Sequence, residues 1–268
     1  MEYDPIKDRL SAFFAKAPTM QIVFYRLLDL LLLRAWHVHK ELKQWARRTP
    51  EHVHILDAGS GLGQYTYYLS QLKPKASILA VDVKDYEVAH CNELFRKLNK
   101  RNVLFKTGDL TQLDDQDAYD LILCVDVMEH VEEDTRVFQN FLRALKPGGM
   151  LVINTPSDQG GSEVQEEGDE SFIGEHVRDG YNKDELVERL RHLGYGRVEG
   201  GYTYGKPGRI SWKLSMKYPM QLLSASFAAI FVLPIYYILT YPASYVLNWM
   251  DVQQKHPRGT GLTVKAWK

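Results

Sequence analysis

The sequence has little cysteine and no excess of charge of either sign. Only Cys91 and Cys124 occur among its 268 residues, and their separation is not that of a metal-binding pair. A reducing cytoplasm is therefore the expected location, and the charged first residues do not resemble a secretory signal. Lysine and arginine number 33 against 34 acidic residues. The net charge of -1 gives no overall attraction to nucleic acid, so no nucleic-acid partner is expected.

Charged side chains are also missing from residues 218–250. This stretch is longer than the roughly 20 residues needed to cross a bilayer. Prolines divide it into pieces too short to span as straight helices, unless one is accommodated as a kink. They are Pro219, Pro234 and Pro242, and three basic residues precede the stretch: Arg209, Lys213 and Lys217. Two alternatives follow: peripheral membrane contact through residues 209–250, at the inner membrane face, or a buried cap over an apolar substrate or a homodimer partner.

A second apolar element is predicted near the start of the chain. Residues 18–47 have the pattern of one long helix, with Thr19 as an N-cap candidate. Its apolar side chains cover more of the circumference than packing on one sheet requires. The helix is therefore either a core element with extra neighbours, or a wall of an apolar substrate site or membrane-contacting surface. We predict that it packs against residues 218–250 around a pocket that opens near Asp126.

The chain is organised around residues 53–65, VHILDAGSGLGQY. An apolar strand closes at Asp57 and runs into three glycines, Gly59, Gly61 and Gly63. Glycine permits positive φ and close approach of a ligand, and a helix from Gln64 directs its N-terminus at that ligand. The spacing is G-x-G-x-G rather than G-x-G-x-x-G, which disfavours NAD. The stretch therefore predicts a cradle for another nucleotide.

Acidic residues follow the next strands. A strand over residues 77–81 ends at Asp82, which either accepts both hydroxyls of a ribose or is a surface carboxylate. After a third strand, Asp109 either accepts from the amine of adenine or forms a turn. A fourth strand, residues 120–125, runs into Asp126 beside the expected site, and a fifth covers residues 150–154. These strands alternate with helices, which predicts a doubly wound parallel α/β sheet.

In order and spacing, these motifs resemble those of class I S-adenosylmethionine-dependent methyltransferases, particularly the type-11 group. The resemblance covers about residues 52–200. It implies a seven-stranded sheet of order 3-2-1-4-5-7-6 with the last strand antiparallel, and S-adenosyl-L-methionine as cofactor. The segments that carry it are LDAGSGLG, AVD at 80–82, GDL at 108–110, DVMEHV at 126–131 and LKPGGMLVIN at 145–154.

The resemblance also implies roles for individual residues. The glycine loop would hold the methionine portion, Asp82 the ribose, and Asp126 would line the methionine side near the methyl group. Asp109 and the Leu110 backbone would contact adenine. The cofactor-binding residues implied are Asp57, Gly59, Gly61, Gly63, Gln64, Asp82, Val83, Asp109, Leu110 and Asp126.

The acceptor side is less defined by the sequence. Residues 157–173 are predicted to form a mobile lid, and His176 follows it as the first candidate base, or as a residue that only orients the loop. Tyr181, Glu129 and His130 are further candidates, although a base is needed only for a neutral hydroxyl or amine. No metal is expected, because Ile153 replaces the aspartate that precedes the Asn154 position in metal-dependent O-methyltransferases.

The sequence thus predicts an enzyme that methylates a small hydrophobic or lipid-like acceptor by O-, C- or carboxylate methylation. The alternatives are a catalytically inactive cofactor-binding or scaffold protein and, less favoured, an NAD-dependent oxidoreductase. Three regions are predicted: an N-terminal helical cap (residues 1–50), a cofactor-binding core (51–205 with 259–268) and an apolar insert (206–258).

Overall fold

A computed structural model describes residues 17–160 and 177–268 and contains one seven-stranded sheet. The strands are β1 (His54–Ala58), β2 (Ser77–Asp82), β3 (Val103–Thr107), β4 (Tyr119–Val125), β5 (Leu145–Pro156), β6 (Arg197–Thr203) and β7 (Gly261–Trp267). Their order is β3-β2-β1-β4-β5-β7-β6, with β7 antiparallel to both of its neighbours. The doubly wound sheet and its strand order, both predicted from the sequence, are confirmed.

Helices cover both faces of this sheet. They are α1 (Pro18–Leu31), α2 (Leu33–Ala46), α3 (Gln64–Leu72), α4 (Asp85–Lys97), α5 (Asp134–Ala144), α6 (Lys183–His192), α7 (Lys206–Trp212), α8 (Tyr218–Ala225) and α9 (Leu233–Gln253). Short 3-10 turns occupy Leu110–Gln112, Met128–His130 and Phe227–Phe231, and a π-helical turn occupies Lys213–Lys217. Alternate residues of β4 face opposite layers. Leu121 and Leu123 pack with α2 and α3, whereas Ile122 and Cys124 pack with α5 and α6.

The predicted long helix over residues 18–47 is wrong in one respect, because the chain breaks at Leu32. The backbone of Leu32 is extended, with φ -86° and ψ 110°. Its N–H donates to the Leu28 carbonyl, and this bond closes the last turn of α1. The predicted cap at Thr19 is also wrong, since Ala17 is the N-cap and Pro18 opens the helix. The break lets α2 pack on the sheet while α1 turns toward the glycine loop.

One further boundary differs from the predictions, and one open alternative is decided. Strand β5 begins at Leu145 rather than Met150, because Tyr119 pairs with Leu145 before the register shifts to Leu121 and Met150. In the insert, Pro242 is accommodated inside the 21-residue helix α9, which was one of the alternatives that the sequence left open. Within residues 17–160 and 177–268, no helix has the length and apolar character that crossing a membrane requires.

The insert is fastened to the rest of the fold through Asp251, which is fully buried. Its carboxylate accepts from the backbone N–H of Gly208 at 2.9 Å and of Tyr204 at 3.2 Å, and it lies 2.8 Å from His37 Nε2 of α2. Burial alone would raise the pKa of Asp251, but these bonds and the neighbouring His256 hold it below its ordinary value. One carboxylate therefore joins α2, the end of β6, α7 and α9.

Replacing Asp251 with alanine should destabilise the protein by about 3–5 kcal/mol, since removing one partner of a buried polar network leaves the others unsatisfied. Urea unfolding would measure the change. Gln253→Ala, two residues further along the chain at an exposed position, is the control and should stay close to the parent. An Asp251→Ala protein as stable as the control would show that the insert is held by its apolar contacts alone.

Candidate cofactor and acceptor site

The glycine loop between β1 and α3 has the conformation that its sequence predicts. Gly59, Gly61 and Gly63 all have positive φ, at 82°, 48° and 81°. A Cβ on Gly59 would lie 2.1 Å from Cγ2 of Val127, so only glycine allows this loop to meet the loop after β4. The carboxyl ends of β1 and β4 therefore meet at one place, where ligands of parallel sheets bind.

Asp82, at the end of β2, is bonded to that loop. Its Oδ2 accepts from the Gly61 N–H at 2.7 Å, and its Oδ1 accepts from the Lys84 N–H at 3.0 Å. Each carboxylate oxygen has a second lone pair, so the group can still accept from ribose hydroxyls. The following residue, Val83, is 61% exposed and presents an apolar side chain next to this carboxylate.

Asp57 and Gln64 lie at the two ends of the loop. Asp57 is buried and accepts from the Thr66 hydroxyl at 2.5 Å. Burial raises its pKa to about 7, and the nearby charge of Asp82 adds to the shift. Gln64 donates to Asp29 of α1 at 2.8 Å. Both residues therefore hold the loop in place from inside the protein.

Asp109 caps the turn after β3. Its Oδ1 accepts from the Thr111 N–H at 2.8 Å, as the turn alternative predicted. Leu110 is buried, and its carbonyl accepts from the Asn140 side chain at 3.0 Å. A contact of Asp109 or Leu110 with adenine stays a prediction.

Helix α1 lies over the glycine loop. The Tyr25 hydroxyl donates to the carbonyl of Leu62, and Tyr25 is almost fully buried there. Phe24 and Tyr25 pack in the same cluster as Cys91 of α4 and Phe105 of β3. Helix α1 thus covers one side of the glycine loop.

Asp126, after β4, is paired with an arginine that sequence analysis did not single out. The Arg34 guanidinium of α2 forms an ion pair with the Asp126 carboxylate. The Arg34 N–H donates to the Tyr204 hydroxyl at 2.9 Å, which satisfies a free donor at the start of the helix. Asp126 has a φ of 50°, a conformation that non-glycine residues rarely hold except where the surroundings fix it.

Glu129 lies in the turn just after Asp126 and is 1% exposed. Its Oε2 accepts from the Thr155 hydroxyl of β5 at 3.1 Å. Burial raises the pKa of Glu129 to about 8, and the Asp126 charge contributes, while the Thr155 bond and Arg34 act in the opposite direction. Burial and the neighbouring Asp126 charge therefore favour the protonated form of Glu129.

The raised pKa of Glu129 should make the stability of the protein depend on pH. Its folded pKa exceeds the ordinary 4.5, so the folded protein retains a proton that the unfolded chain releases. The free energy of unfolding should therefore fall as pH rises from about 4.5 to about 8. Asp57 contributes with the same sign up to about pH 7. Urea unfolding at several pH values should show a smaller fall in Glu129→Gln than in the parent, and identical slopes would contradict the shift.

Two buried polar atoms of this region have no hydrogen-bond partner within residues 17–160 and 177–268. They are Arg34 Nε and Tyr65 Oη. Tyr65 of α3 interacts electrostatically with Arg34, Asp126 and Tyr204. We call the five residues around this point the acceptor cluster: Arg34, Tyr65, Asp126, Glu129 and Tyr204. Its unsatisfied atoms are available to a polar group of a ligand.

The sequence carried one signal for Arg34 that was overlooked. Arg34 is the single basic residue in the run LDLLLLRAW. A charged side chain that is buried among leucines needs a partner of opposite charge. Tyr65 and Tyr204 gave no comparable signal. They reach the acceptor cluster from two separate elements, and only the fold brings them together.

The hydroxyl of Tyr181, a candidate catalytic residue, lies in a buried hydrogen-bond network. It lies 2.8 Å from Asp134 Oδ2 and 3.0 Å from the Met128 carbonyl, and it accepts from Arg178 at 2.8 Å. Burial raises its pKa, and the bond to the Asp134 carboxylate raises it further. A catalytic role of Tyr181 stays a prediction. His176 and most of the predicted lid lie outside the described residues, so their roles stay predictions.

Two surface depressions in the described part of the chain lie away from this site. One, of about 50 Å³, lies beside Pro18 and α4, and one of about 360 Å³ lies around His54, Ser77 and Arg101 at the opposite edge of the sheet. The N-terminal helices and the insert do contact each other, as predicted: Tyr241 donates to the Leu30 carbonyl at 3.2 Å, and Trp36 packs edge-on to Tyr245. A pocket between them near Asp126 stays a prediction.

The residues at the carboxyl ends of the strands fit S-adenosyl-L-methionine. Ser60 Oγ, in the middle of the glycine loop, is buried without a hydrogen-bond partner in the described ranges. Asp82 offers a carboxylate at the end of β2, the strand that pairs with β1 beside that loop. Within these ranges no group of three or more histidine, cysteine, aspartate or glutamate side chains is arranged to hold a metal ion.

Comparisons with known proteins agree with this arrangement. The sequence model of the family described as "Methyltransferase domain" matches residues 50–192. The chain is 30% identical over 103 residues to malonyl-[acyl-carrier protein] O-methyltransferase of Bacillus anthracis, covering 38% of this chain and 37% of that protein. It is 27% identical over 103 residues to ubiquinone biosynthesis O-methyltransferase of Rickettsia conorii, covering 38% and 35%. The chain thus spans less than two thirds of the length of these relatives.

Among solved structures, phosphoethanolamine N-methyltransferase 2 of Haemonchus contortus in complex with S-adenosyl-L-methionine has a TM-score of 0.63. Its sequence is 18% identical, and the match covers 100% of this chain and 60% of that one. At this identity the likeness establishes the fold.

Proposed function

The chain belongs to the methyltransferase-domain family, and from that premise we propose that it transfers a methyl group from S-adenosyl-L-methionine to a hydroxyl of a small hydrophobic acceptor. Family membership confirms the resemblance inferred from the motifs. The observation that carries the acceptor proposal is the acceptor cluster, in which a buried glutamate of raised pKa lies beside Asp126 at the carboxyl ends of the strands.

Each side of the site has a distinct task. The glycine loop and Asp82 would hold the cofactor, with Asp57 and Gln64 fixing the loop. When bound, S-adenosyl-L-methionine supplies an electrophilic methyl group. Arg34 pairs with Asp126 and positions its carboxylate. Holding the reactants in one orientation can contribute roughly 7–11 kcal/mol to a rate.

Glu129 is the residue best placed to remove a proton from the acceptor. A general base works best when its pKa lies near the working pH, and burial brings Glu129 to about 8. A hydroxyl that enters the acceptor cluster could also bond to Tyr65 Oη or Arg34 Nε, the two buried atoms of this cluster that lack partners in the described ranges. Both curated relatives named above are O-methyltransferases, which supports an oxygen acceptor.

The hydrophobic character of the acceptor is inferred from the elements next to the cluster. Arg34 follows α1 and Tyr204 precedes the insert, and α1 and residues 218–250 of the insert are rich in apolar side chains. An acceptor with an apolar body would bury part of it here, at roughly 25 cal/mol per Å² of apolar surface. The name of one relative, ubiquinone biosynthesis O-methyltransferase, supports a hydrophobic acceptor.

Incubation of the protein with a lipid-soluble cell extract and methyl-labelled S-adenosyl-L-methionine tests the proposal. We expect label in an organic-soluble product that mass spectrometry shows to be heavier by one methylene group. Label in a water-soluble product would contradict the hydrophobic acceptor. Tight cofactor binding with no transfer to any fraction would favour the alternative of an inactive cofactor-binding or scaffold protein.

A further inference from the structure

The insert exposes an unusual amount of apolar surface. Seven large apolar side chains between residues 231 and 249 are more than half exposed, and three of them stand out: Phe231 at 82%, Leu239 at 74% and Ile238 at 73%. Along α9 the exposed positions recur every three or four residues, so they share one side of the helix. We call this surface the apolar face: Phe231, Val232, Ile235, Ile238, Leu239, Val246 and Trp249. Soluble monomers rarely expose patches of this kind without a binding role.

Helix α1 extends the apolar surface. Its outward side carries Val23, Leu27 and Leu30, each more than 40% exposed. The end of α1 touches α9, since the Tyr241 hydroxyl donates to the Leu30 carbonyl. A serine of the π-helical turn, Ser215, donates to the next carbonyl, that of Leu31, at 3.3 Å. The exposed apolar residues of α1 therefore adjoin the insert.

The insert also has an unbalanced charge. Residues 201–250 contain Lys206, Arg209, Lys213 and Lys217 and no acidic residue, within a chain whose net charge is -1. All four belong to α7 and the π-helical turn, immediately before the charge-free stretch. Lys206 and Arg209 are exposed, and Lys213 and Lys217 are partly exposed. The surface is therefore apolar in one part and basic in the adjoining part.

Two hydrogen bonds keep the basic and apolar parts in a fixed relation. Tyr236 donates to the Leu214 carbonyl at 2.7 Å, and Tyr237 donates to the Ser215 carbonyl at 2.9 Å. These bonds fasten α9 to the π-helical turn. Tyr245 and Trp249 are about half exposed on α9, and such side chains favour the boundary between lipid and water.

We propose that the apolar face, the outward side of α1 and the adjoining basic residues form one surface that docks in the plane of an anionic lipid bilayer. Charge decides between lipid and a second copy of this chain. A symmetric dimer through this surface would bring two sets of four basic residues together, whereas anionic head groups attract them. The contact is interfacial, with apolar side chains at the level of the head groups and acyl chains.

Docking would place the acceptor cluster close to the bilayer, because Tyr204 directly precedes the insert and Arg34 follows α1. A hydrophobic acceptor could then enter from the lipid. This last consequence rests on the proposed function, but the docking itself does not, and its test needs neither cofactor nor acceptor.

Flotation with liposomes tests the docking. The full chain should float with vesicles of phosphatidylcholine and phosphatidylglycerol and much less with phosphatidylcholine alone, and binding should fall as salt is raised. The triple variant Lys206→Glu, Lys213→Glu, Lys217→Glu should lose roughly 100-fold in partitioning, as each basic residue near the surface contributes roughly fivefold. The matched control reverses three exposed basic residues elsewhere, Lys75→Glu, Arg96→Glu and Arg101→Glu, and should retain most binding.

A second measurement uses the unaltered protein, in case the triple variant folds poorly. Phosphatidylglycerol vesicles with brominated acyl chains should quench its tryptophan fluorescence, and Trp249→Phe should remove most of that quenching. No flotation with anionic vesicles at any salt, or equal loss in the triple variant and its control, would overturn the proposal. So would a dimer in solution that Ile238→Ser and Leu239→Ser dissociate, since the apolar face would then be occupied by a second copy.

Discussion

Replacing Asp82 with alanine should weaken the binding of S-adenosyl-L-methionine by at least tenfold. A carboxylate that accepts two ribose hydrogen bonds contributes roughly 2–4 kcal/mol, and each 1.4 kcal/mol is a factor of ten. The structure adds a second reason. Asp82 also accepts from the Gly61 N–H, so its loss frees the glycine loop that would hold the methionine portion.

Asp120→Ala is the matched control for this experiment. Asp120 also bonds to a neighbouring strand, accepting from the His54 N–H at 2.7 Å and from Lys146, but it lies at the amino-terminal end of β4, away from the site. Isothermal titration calorimetry should show parental affinity for this control. Equal affinity in a folded Asp82→Ala protein would mean that the cofactor does not lie at the end of β2.

Replacing Glu129 with glutamine should lower turnover by roughly 10²–10⁴-fold, the usual contribution of a general base. Glutamine keeps the shape of the side chain and can still accept from Thr155, but it cannot take a proton. Cofactor affinity should hardly change, because Glu129 lies on the side of Asp126 and Arg34 rather than at the glycine loop. The turnover assay uses the labelled product of the extract experiment.

The pH profile separates catalysis from positioning. With the parent protein kcat/KM should rise with pH until about 8, as Glu129 loses its proton, and the Glu129→Gln profile should lack this rise. Glu132→Gln, at an exposed position three residues further on, is the control. Full turnover in Glu129→Gln would show that Glu129 is not the base. It would point to a carboxylate acceptor, which needs no base.

Much of the cofactor side of the site could be predicted, because the sequence signals for it are local. The ends of β1 and β2 and the glycine loop each depend on a few adjacent residues with strict conformational needs, and the structure places Asp57, Gly61 and Asp82 together as those patterns indicate. Strand order followed from the resemblance to the methyltransferase fold. The predicted β5 was shorter than the observed strand. Its first part is irregular, and its start is decided by pairing with β4 rather than by the local sequence pattern.

The acceptor cluster depends on contacts between residues that are far apart in the sequence. Neither glycine nor proline marks the break at Leu32, and Arg34 meets its partner Asp126 from a position 92 residues earlier in the sequence. Tyr181 had the chemistry of a candidate base, but Asp134 and Arg178 engage its hydroxyl. Residue type alone could not predict these bonds.

A crystal structure of the full chain with S-adenosyl-L-homocysteine tests most directly whether methyl transfer takes place between the glycine loop and the acceptor cluster. We expect the ribose hydroxyls on Asp82, the amino-acid portion along residues 57–63, and the sulfur on the side of Asp126 and Glu129. A nucleoside bound elsewhere, or a sulfur directed away from Arg34 and Glu129, would contradict the proposed site.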